Sequence, residues 1–444
     1  MSLKLYNTLS RKKESFKPEQ AGIVRMYVCG PTVNDVPHLG HARQQVVFDI
    51  LRKFLKFSGY DVKFVSNITD IEDKIINKAK ELNEDIKSLT ERNLKEHLED
   101  YGRLNVQKPD VQPKATEYIK EMIELVGLLE KKGFTYVIPN DGVYYEISKF
   151  KNYGKLSHQN VEDLKKGVSR VESNAGKKNP EDFVLWKFSK PGEPFWPAPW
   201  GSGRPGWHIE CSAMSAKILG LPLDIHGGGQ DLIFPHHEDE IAQSEAAFRK
   251  KFVNYWVHNG MVNVEKIKMS KSLGNFKTIK DLLKEYSGET LRYFIISTHY
   301  RKPVDFSKQL LDKAKIALEK LKNNLEGLQD DGKTNGKYLK LFEEAMDSDL
   351  NTPKALRALQ SLVKDKSAEG KFQAIQKIDS VFCLRLLDRK KVEIPAEIQL
   401  LADERENARK AKDWKKADEL RDLLKQKGYF IADSAEGPKV KKIE

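Results

Sequence analysis

The stretch YVCGPTVNDVPHLGHAR, residues 27–43, joins the end of an apolar run to a turn that contains two histidines. The runs IVRMYV (23–28) and DVKFVS (61–66) are short, mostly apolar and rich in β-formers. Between them, residues 42–58 carry apolar side chains at helical spacing. Strand, turn, helix and strand within about 40 residues form a βαβ unit, which predicts a parallel sheet covered by helices. The histidine turn then lies where a strand passes into a helix, the place where open α/β sheets bind ligands.

Length and composition describe a globular chain of several domains. Its 444 residues are 39% hydrophobic and 32% charged, and they exceed one ordinary domain core. No apolar run reaches the roughly 18 residues of a membrane helix, and the N-terminus lacks the apolar core of a signal peptide. Three cysteines cannot build a disulfide framework, so a cytoplasmic location is predicted. The net charge of +12 indicates either a polyanionic partner or a solvated, lysine-rich surface.

The middle of the chain indicates an insertion into the α/β domain. A predicted helix over residues 115–132 precedes the hairpin pattern FTYVIPNDGVYYEI, which has Asp141-Gly142 at its turn. A polar stretch and the aromatic, proline-rich run FWPAPWGSGRPGW follow it. A second region of strands and helices is predicted over residues 201–306.

The last third of the chain shows no strand pattern after Ser307. Amphipathic helices are predicted over 308–327 and 337–387, and one final long helix over about 396–427. Gly428 is placed to end that helix. The apolar side chains predicted to line one of its faces are Trp414, Ala417, Leu420 and Leu424.

Two short motifs suggest chemistry on a phosphate. The turn Pro37-His38-Leu39-Gly40-His41 offers imidazoles and free backbone N–H groups at a helix N-terminus. Gly40 leaves room for a purine or a ribose against the backbone. The segment KMSKS (268–272) is a cationic loop that could clamp a polyphosphate. Either motif alone also fits a simpler explanation, a chance histidine pair or a lysine-rich surface loop.

The two motifs together resemble the HIGH and KMSKS signatures of class I aminoacyl-tRNA synthetases. They stand here as HLGH (38–41) and KMSKS (268–272), so leucine replaces isoleucine in the first. The resemblance implies that they bind ATP and stabilise the transition state in which an amino-acid carboxylate attacks the α-phosphate. The catalytic residues that it implies are His38, His41, Lys268 and Lys271, with Gly40 as a further contact of ATP.

The cysteines and histidines suggest a metal site. GWHIECSAM supplies Cys211, and FPHHEDEIAQ supplies His236 and Glu240, which share a face if a helix begins near Pro235. On such a helix His237 faces about 100° away. Two thiolates, one imidazole and one carboxylate would suit zinc. From the residues alone, His208 and His226 compete with His236 for the imidazole position, and Cys29 is also explained as core filler.

Further segments resemble cysteinyl-tRNA synthetases: CGPTVND, NITDIEDKI, GRPGWHIECSAM and DIHGGGQDLIFPHHEDEIAQ. In that family a zinc ion held by Cys, Cys, His and Glu forms the floor of the amino-acid pocket. The resemblance therefore implies one Zn²⁺ per subunit, bound by Cys29, Cys211, His236 and Glu240. It implies a cysteine pocket lined by Tyr27, Gly30, Thr32, Thr69, Trp207 and His226, the last of these close to the metal. Trp207 also fits a plain core role.

The resemblance also gives Asp231 a role as partner of the substrate ammonium or of the ATP ribose.

A metal would help the enzyme to select cysteine over serine, because a simple pocket rejects a near-isostere such as serine only on the order of 100-fold. Zinc binds a soft thiolate, whereas an alcohol loses its proton far less readily. The substrates expected from the family are L-cysteine, ATP with Mg²⁺ and tRNA(Cys).

The C-terminal helix is expected to contribute to tRNA binding by resemblance alone. Residues 401–444 carry 12 Lys and Arg against 10 Asp and Glu, so their composition is only mildly basic. MDSDLNTPKAL (346–356) and ARKAKDWKKADELRD are similar to the helical bundle and the anticodon-reading end of the family. Two other functions stay open: a ligase that passes cysteine to an amino sugar, and a non-catalytic RNA-binding protein with a structural zinc.

The predicted fold is α/β, with a Rossmann-like catalytic domain, an inserted connective domain, an all-α bundle and a small anticodon-binding domain. The chain is expected to be a monomer without a membrane anchor. The predicted domains are residues 1–112 (first catalytic half), 113–200 (connective insertion), 201–306 (second catalytic half), 307–388 (DALR-like bundle) and 396–444 (C-terminal domain).

Overall fold

The computed structural model describes residues 3–159, 176–264, 267–268, 277–388, 395–432 and 439–442. The chain forms two compact units, Met1–Leu387 and Asp388–Glu444. None of the helices described in either unit is long and apolar enough to cross a membrane. The predicted boundaries inside the first unit, at 112, 200 and 306, stay predictions.

The described strands are numbered in chain order. Those of the first unit are β1 (Lys4–Asn7), β2 (Lys12–Ser15), β3 (Ile23–Val28), β4 (Asp61–Ser66), β5 (Thr135–Ile138), β6 (Gly142–Tyr145), β7 (Phe183–Phe188), β8 (Gly203–Pro205), β9 (Leu223–Gly229), β10 (Val253–Asn259), β11 (Val262–Val264), β12 (Ile267–Lys268) and β13 (Val304–Phe306). Those of the second unit are β14 (Tyr429–Ala432) and β15 (Lys439–Lys442).

The described helices are numbered likewise. The first unit contains α1 (Leu39–Phe57), α2 (Asp73–Leu82), α3 (Ile86–Arg103), α4 (Ile119–Lys131), α5 (Trp207–Leu219), α6 (Glu238–Phe248), α7 (Ile279–Glu285), α8 (Gly288–Ile296), α9 (Lys308–Asn323), α10 (Gly336–Asp347), α11 (Thr352–Lys364) and α12 (Lys371–Phe382). The second unit contains α13 (Ala396–Lys410) and α14 (Trp414–Gln426).

A four-stranded parallel sheet in the order β10-β9-β3-β4 forms the centre of the first unit. Strands β3 and β4 have the bounds of the two apolar runs, and α1 connects them, so the predicted βαβ unit is confirmed. Helix α1 begins three residues before the predicted start because His38 caps it. The predicted α/β fold class is likewise confirmed.

A second, antiparallel sheet has the order β5-β6-β7-β8. Strands β5 to β7 lie in the predicted insertion, whereas β8 (Gly203–Pro205) follows its predicted end at residue 200. Strands β5 and β6 form the hairpin that the sequence predicts, with Asp141 immediately before β6. A third sheet pairs β11 with β12 in antiparallel fashion and with β13 in parallel fashion. This small sheet is important for the site because β12 ends at Lys268, the first residue of KMSKS.

The C-terminal unit differs from the predicted single helix. The helix is interrupted between α13 and α14, where Lys412 has a φ of 59°. The Asp413 carboxylate then accepts a hydrogen bond from the Lys416 N–H at 3.1 Å. This side-chain cap starts a new helix, which a periodicity argument does not reveal. Ala417, Leu420 and Leu424 are buried as predicted, but Trp414 is 60% exposed. The strand pair β14–β15 was not predicted either.

Candidate active site and metal centre

The candidate site lies at the carboxyl ends of β3, β9 and β10, where parallel sheets bind ligands. Cys29 directly follows β3, and its backbone N–H donates to the Gly227 carbonyl of β9 at 3.1 Å. Helix α5 contributes Cys211, and helix α6 contributes Glu240. His236 comes from the irregular turn Ile233–His237 between β9 and α6. All four predicted metal ligands are buried and lie together, although they are spread over more than 200 residues of sequence.

The donor atoms of these four residues are close to one another. The Cys29 Sγ is 3.6 Å from the Cys211 Sγ, 3.4 Å from the His236 Nε2 and 3.4 Å from the Glu240 Oε1. The His236 Nε2 is 3.0 Å from the Glu240 Oε1. Around a tetrahedral zinc ion, donor atoms are separated by about 3.8 Å for two sulfurs, about 3.5 Å for sulfur and nitrogen and about 3.4 Å for nitrogen and oxygen. The donor set therefore fits a zinc-sized cation in both chemistry and spacing.

The ionisable groups of the cluster respond in different directions to burial and to their neighbours. Burial, with Cys211 and Glu240 nearby, raises the pKa of the Cys29 thiol well above its usual value, so this thiol keeps its proton and donates to Cys211. Burial opposes ionisation of Glu240, yet the His226 and His236 imidazoles hold its pKa at about 2. Burial would lower the pKa of His236, but the Glu240 carboxylate raises it to about 10. Burial would raise the pKa of Cys211, but the hydrogen bond from the Cys29 thiol lowers it to about 6. The cluster thus concentrates anionic donors in a buried site, which favours a bound cation.

Two further histidines lie against the same donors. The His226 Nε2 is 2.8 Å from the Glu240 Oε2, and the His237 Nε2 is 3.3 Å from the Cys29 Sγ. Cys29, His226, His237 and Glu240 therefore form a second group of donors that could hold a metal. The prediction that His237 faces away was wrong. His237 and Glu240 are at i, i+3, a helical spacing that also brings side chains together, and the His237 Nε2 is 4.0 Å from the Glu240 Oε1.

His208 lies behind His236 and not among the donor atoms of the cluster. Its Nδ1 is 2.8 Å from the Nδ1 of His236, and its Nε2 is 3.3 Å from an Asp239 carboxylate oxygen. His208 therefore orients the His236 ring from the side away from the sulfur atoms. Such partners fix the tautomer and the direction of a ligating imidazole.

Sequence reasoning missed three residues that support the cluster. The Asn67 Oδ1 accepts a hydrogen bond from the Gly30 N–H at 2.8 Å and lies 3.6 Å from the Cys211 Sγ. The His258 Nε2 is 2.8 Å from the His237 Nδ1. Glu210 accepts a hydrogen bond from the Thr69 hydroxyl at 2.7 Å. A usable signal was present for Asn67, which opens the segment NITDIEDKI, and for Glu210, which precedes Cys211 in GRPGWHIECSAM, but not for His258.

The predicted cysteine-pocket residues differ in their contacts with the cluster. Tyr27 is buried, and burial, together with the nearby cysteines and carboxylate of the cluster, raises the pKa of its hydroxyl well above the usual value. The Trp207 ring stacks on His236 with 4.5 Å between ring centroids. Thr32 and Thr69 form an isolated parallel bridge beside Gly30. Side-chain contacts thus place Trp207 and His226 against the donor set and Tyr27 against His226, whereas Gly30 and the two threonines are connected to each other's segments mainly through backbone contacts.

The HLGH turn is built as a helix cap. The His38 Nδ1 accepts a hydrogen bond from the Gly40 N–H at 3.0 Å, and the His41 Nδ1 accepts one from the His38 N–H at 3.2 Å. A neutral imidazole that accepts at Nδ1 carries its proton on Nε2, so each ring presents an Nε2–H donor. The Leu39 N–H donates to the Lys277 carbonyl at 3.1 Å. The expectation of free backbone N–H groups was therefore wrong for Leu39 and Gly40, whose donors are already engaged.

Of the other three residues predicted to act on the nucleotide, the structure describes Asp231 and the backbone of Lys268. Asp231 is exposed in the turn that follows β9, and its Oδ1 lies 2.5 Å from where a Cβ on Gly229 would be. Lys268 pairs through its backbone with Asn263 of β11. Lys271 lies outside the described residues.

Gly30 is a position where a side chain cannot fit. A Cβ added there would lie 1.5 Å from the Asn67 carbonyl oxygen. We expect Gly30→Ala to displace the Cys29 loop and to lower the free energy of unfolding by about 3 kcal/mol or more, measured by urea titration. Gly127→Ala is the matched control, because its Cβ meets nothing within 4 Å in helix α4, and it should stabilise by about 0.5–1 kcal/mol. If Gly30→Ala and the wild type had equal free energies of unfolding, the close approach of the Gly30 Cα to the Asn67 carbonyl would be contradicted.

Family comparisons agree with this geometry. Residues 15–316 match the family described as tRNA synthetases class I (C) catalytic domain, residues 341–378 match the DALR domain, and residues 391–438 match the Cysteinyl-tRNA ligase anticodon binding domain. Among solved structures, Mycobacterium tuberculosis methionyl-tRNA synthetase in complex with methionyl-adenylate is similar at a TM-score of 0.57 and 15% identity, covering 82% of this chain and 90% of that one. At that identity the likeness concerns the fold alone.

Curated relatives are similar over nearly their whole length. Cysteine–tRNA ligase of Geobacter sulfurreducens is 47% identical over 477 residues, which covers 98% of this chain and 99% of the relative. Cysteine–tRNA ligase of Vibrio vulnificus is 47% identical over 458 residues, with 98% of both chains covered. The predicted resemblance is thereby confirmed, and the chain belongs to the cysteine–tRNA ligase family of class I aminoacyl-tRNA synthetases.

Proposed function

We propose that this protein is a cysteine–tRNA ligase that selects its amino acid through a zinc ion. It activates L-cysteine with ATP, giving cysteinyl-adenylate and pyrophosphate, and then transfers cysteine to the terminal adenosine of tRNA(Cys). The observation that carries the proposal is the buried Cys29, Cys211, His236 and Glu240 cluster at the carboxyl end of the central sheet. Membership of the family supports the same reaction.

The metal would be held by the two sulfurs, the His236 imidazole and the Glu240 carboxylate. When bound, zinc would act as a soft acceptor for the substrate sulfur. The serine hydroxyl is a harder donor and would bind to zinc less well. The protein residues fix the site around it: Asn67 holds the Gly30 backbone, and His208 orients His236. His226 holds the second carboxylate oxygen of Glu240.

The pocket beside the cluster would bind the rest of the cysteine substrate. The Tyr27 hydroxyl is buried beside Cys211 and Cys29, and its raised pKa keeps it protonated, so it could donate a hydrogen bond to a polar substrate atom. Trp207 stacks on His236 and would close the pocket against water. Gly30, Thr32, Thr69 and His226 complete the proposed lining.

ATP would bind beside the HLGH turn with its Mg²⁺. The Nε2–H groups of His38 and His41 can donate to phosphate oxygens, and Gly40 leaves space for the nucleoside. Asp231 would bind the ribose or the substrate ammonium. Lys268 and Lys271 would neutralise the charge that builds up on the departing pyrophosphate.

The C-terminal unit would bind the anticodon end of the tRNA. This role is supported by the match of residues 391–438 to the anticodon binding domain of the family. We further propose that the protein works in the cytoplasm as a monomer with one zinc per chain.

Two rival functions predict different results. A ligase that passes cysteine to an amino sugar would exchange pyrophosphate with cysteine but would not charge a tRNA(Cys) transcript. An RNA-binding protein with a structural zinc would bind the transcript without cysteine-dependent pyrophosphate exchange. Four protein donors are typical of a structural zinc site, and this count favours the second rival. The position of the cluster beside the HLGH turn favours catalysis, since a purely structural metal has no need of that place.

Replacing one sulfur tests the metal assignment. We expect Cys211→Ser to lower the zinc affinity at least about 100-fold, because even the partners of metal ligands contribute 10–100-fold. Cysteine-dependent pyrophosphate exchange should be lost in parallel. Metal content after dialysis and the exchange rate are the measurements. Cys383→Ser is the control, because this third cysteine is half-buried and lies outside the cluster. A Cys211→Ser protein that keeps its zinc would refute the ligand assignment.

Replacing the second KMSKS lysine tests the proposed nucleotide chemistry. We expect Lys271→Ala to slow adenylate formation about 100-fold, since a group that stabilises developing charge contributes on that order. The dissociation constant for cysteine should stay within about twofold, because the lysine does not act on the sulfur pocket. Single-turnover kinetics measure the first quantity and equilibrium binding the second. An unchanged single-turnover rate would exclude the proposed role.

A further inference from the structure

Arg43 is a buried cation that bonds almost entirely to the main chain. It lies on α1, two residues after His41, and its side chain is 1% exposed. Its Nη1 donates to the Met261 carbonyl at 3.2 Å, and its Nη2 donates to the Tyr300 carbonyl at 3.0 Å and to the Lys302 carbonyl. No carboxylate forms an ion pair with Arg43 in the part of the chain that the structure describes.

Such an arrangement is expensive in free energy. A buried charge without a counter-ion destabilises the folded state, and an apolar side chain of similar volume would avoid that loss. Burial lowers the pKa of Arg43 to about 10, so the group remains cationic at neutral pH. We therefore infer that Arg43 serves to hold these carbonyl groups in place rather than to stabilise the fold.

Those carbonyl groups belong to the small sheet that carries Lys268. Met261 immediately precedes β11, and residues 300–302 lead into β13. Strand β11 pairs with both β13 and β12, and its Asn263 lies opposite Lys268. Arg43 therefore connects the helix that begins at the HLGH turn with the N-terminal ends of two strands of this sheet.

The chain is also attached to the turn where it returns from KMSKS. The Leu39 N–H donates to the Lys277 carbonyl at 3.1 Å, and the Ile279 N–H donates to the Pro37 carbonyl at 3.1 Å. The start of β11 and residues 277–279 are thus both fixed to the first turns of α1. Arg43 supplies the side-chain part of this attachment.

We propose that Arg43 is a positioning residue for adenylate formation, which sets the distance between Lys268 and the histidines of the HLGH turn. The inference rests on the proposed function of both signatures. Arg43 does not touch the sulfur pocket, so it acts on the nucleotide step and leaves cysteine binding unchanged. A misplacement of about 1 Å can slow an enzymatic step about 100-fold.

The first test compares two buried arginines. Arg43→Lys keeps the charge but cannot reach several carbonyl groups at once, and we expect the single-turnover rate of adenylate formation to fall at least about tenfold. Zinc content and cysteine affinity should stay within about twofold of the wild type. Arg292→Lys is the matched control: Arg292 is also fully buried and donates to the Leu104 and Phe382 carbonyl groups, but it pairs with Asp49. It should lower the melting temperature without lowering the rate per active site.

The second test is a double-mutant cycle with Lys268→Ala. If Arg43 acts through Lys268, the Arg43→Lys substitution should slow the Lys268→Ala enzyme by less than about twofold. Additive losses would overturn the positioning role while leaving the proposed function intact. A wild-type rate for Lys268→Ala alone would instead refute the role of that lysine and remove the basis of the inference. Loss of folding in Arg43→Lys, with Arg292→Lys folded, would show a structural role and would also overturn it.

Discussion

The structure depends on the burial of two sulfur atoms and a carboxylate whose donor atoms lie within 4.8 Å of one another. Because like charges at this spacing in a low-dielectric site repel strongly, burial and the neighbouring Cys211 and Glu240 raise the pKa of the Cys29 thiol, and a bound cation would offset that repulsion. The protein supplies part of the compensation through His236 and His226, which bond to the two oxygens of Glu240. The loop after β3 and helices α5 and α6 must meet at one point for the donors to converge. The parallel sheet makes this possible because the carboxyl ends of its strands lie on one edge.

The same sheet edge joins the metal cluster to the nucleotide motif. Gln44 lies on α1, one turn after the HLGH residues, and its Nε2 donates to the Cys29 carbonyl at 2.7 Å. Its Oε1 accepts a hydrogen bond from the Gly229 N–H at 3.1 Å. One amide thus ties α1 to the loop that carries the first sulfur and to the end of β9. An amino acid held at the cluster and a nucleotide held at the turn are thereby given a fixed separation, which in-line attack on a phosphate requires.

Much of the fold could be predicted from local sequence patterns, whereas the choice of the four proposed metal ligands as a donor set came from resemblance to the family, because the residues alone left the imidazole position open. Strands β3 and β4 follow from apolar runs, and the four proposed ligands come from quoted motifs. Other features depend on contacts between distant segments. The contact of His237 with Cys29 joins residues that lie 208 positions apart in the chain, and the break before Trp414 depends on an Asp413 cap. The carbonyl partners of Arg43 lie more than 200 residues away and have no side-chain signature at all.

The proposed selectivity explains why the cluster is so rigidly held. A pocket that measured size alone would separate cysteine from serine on the order of 100-fold, because the two side chains are nearly isosteric. A metal distinguishes them by the acidity and softness of sulfur, provided that its own ligands cannot rearrange to accept oxygen. Asn67, His208 and His226 each bond to a ligand or to its loop, so the donors keep their places when a substrate enters. Under the proposed function, loosening these bonds would let a harder ligand bind, so selectivity would depend on the residues behind the metal ligands as much as on the ligands themselves.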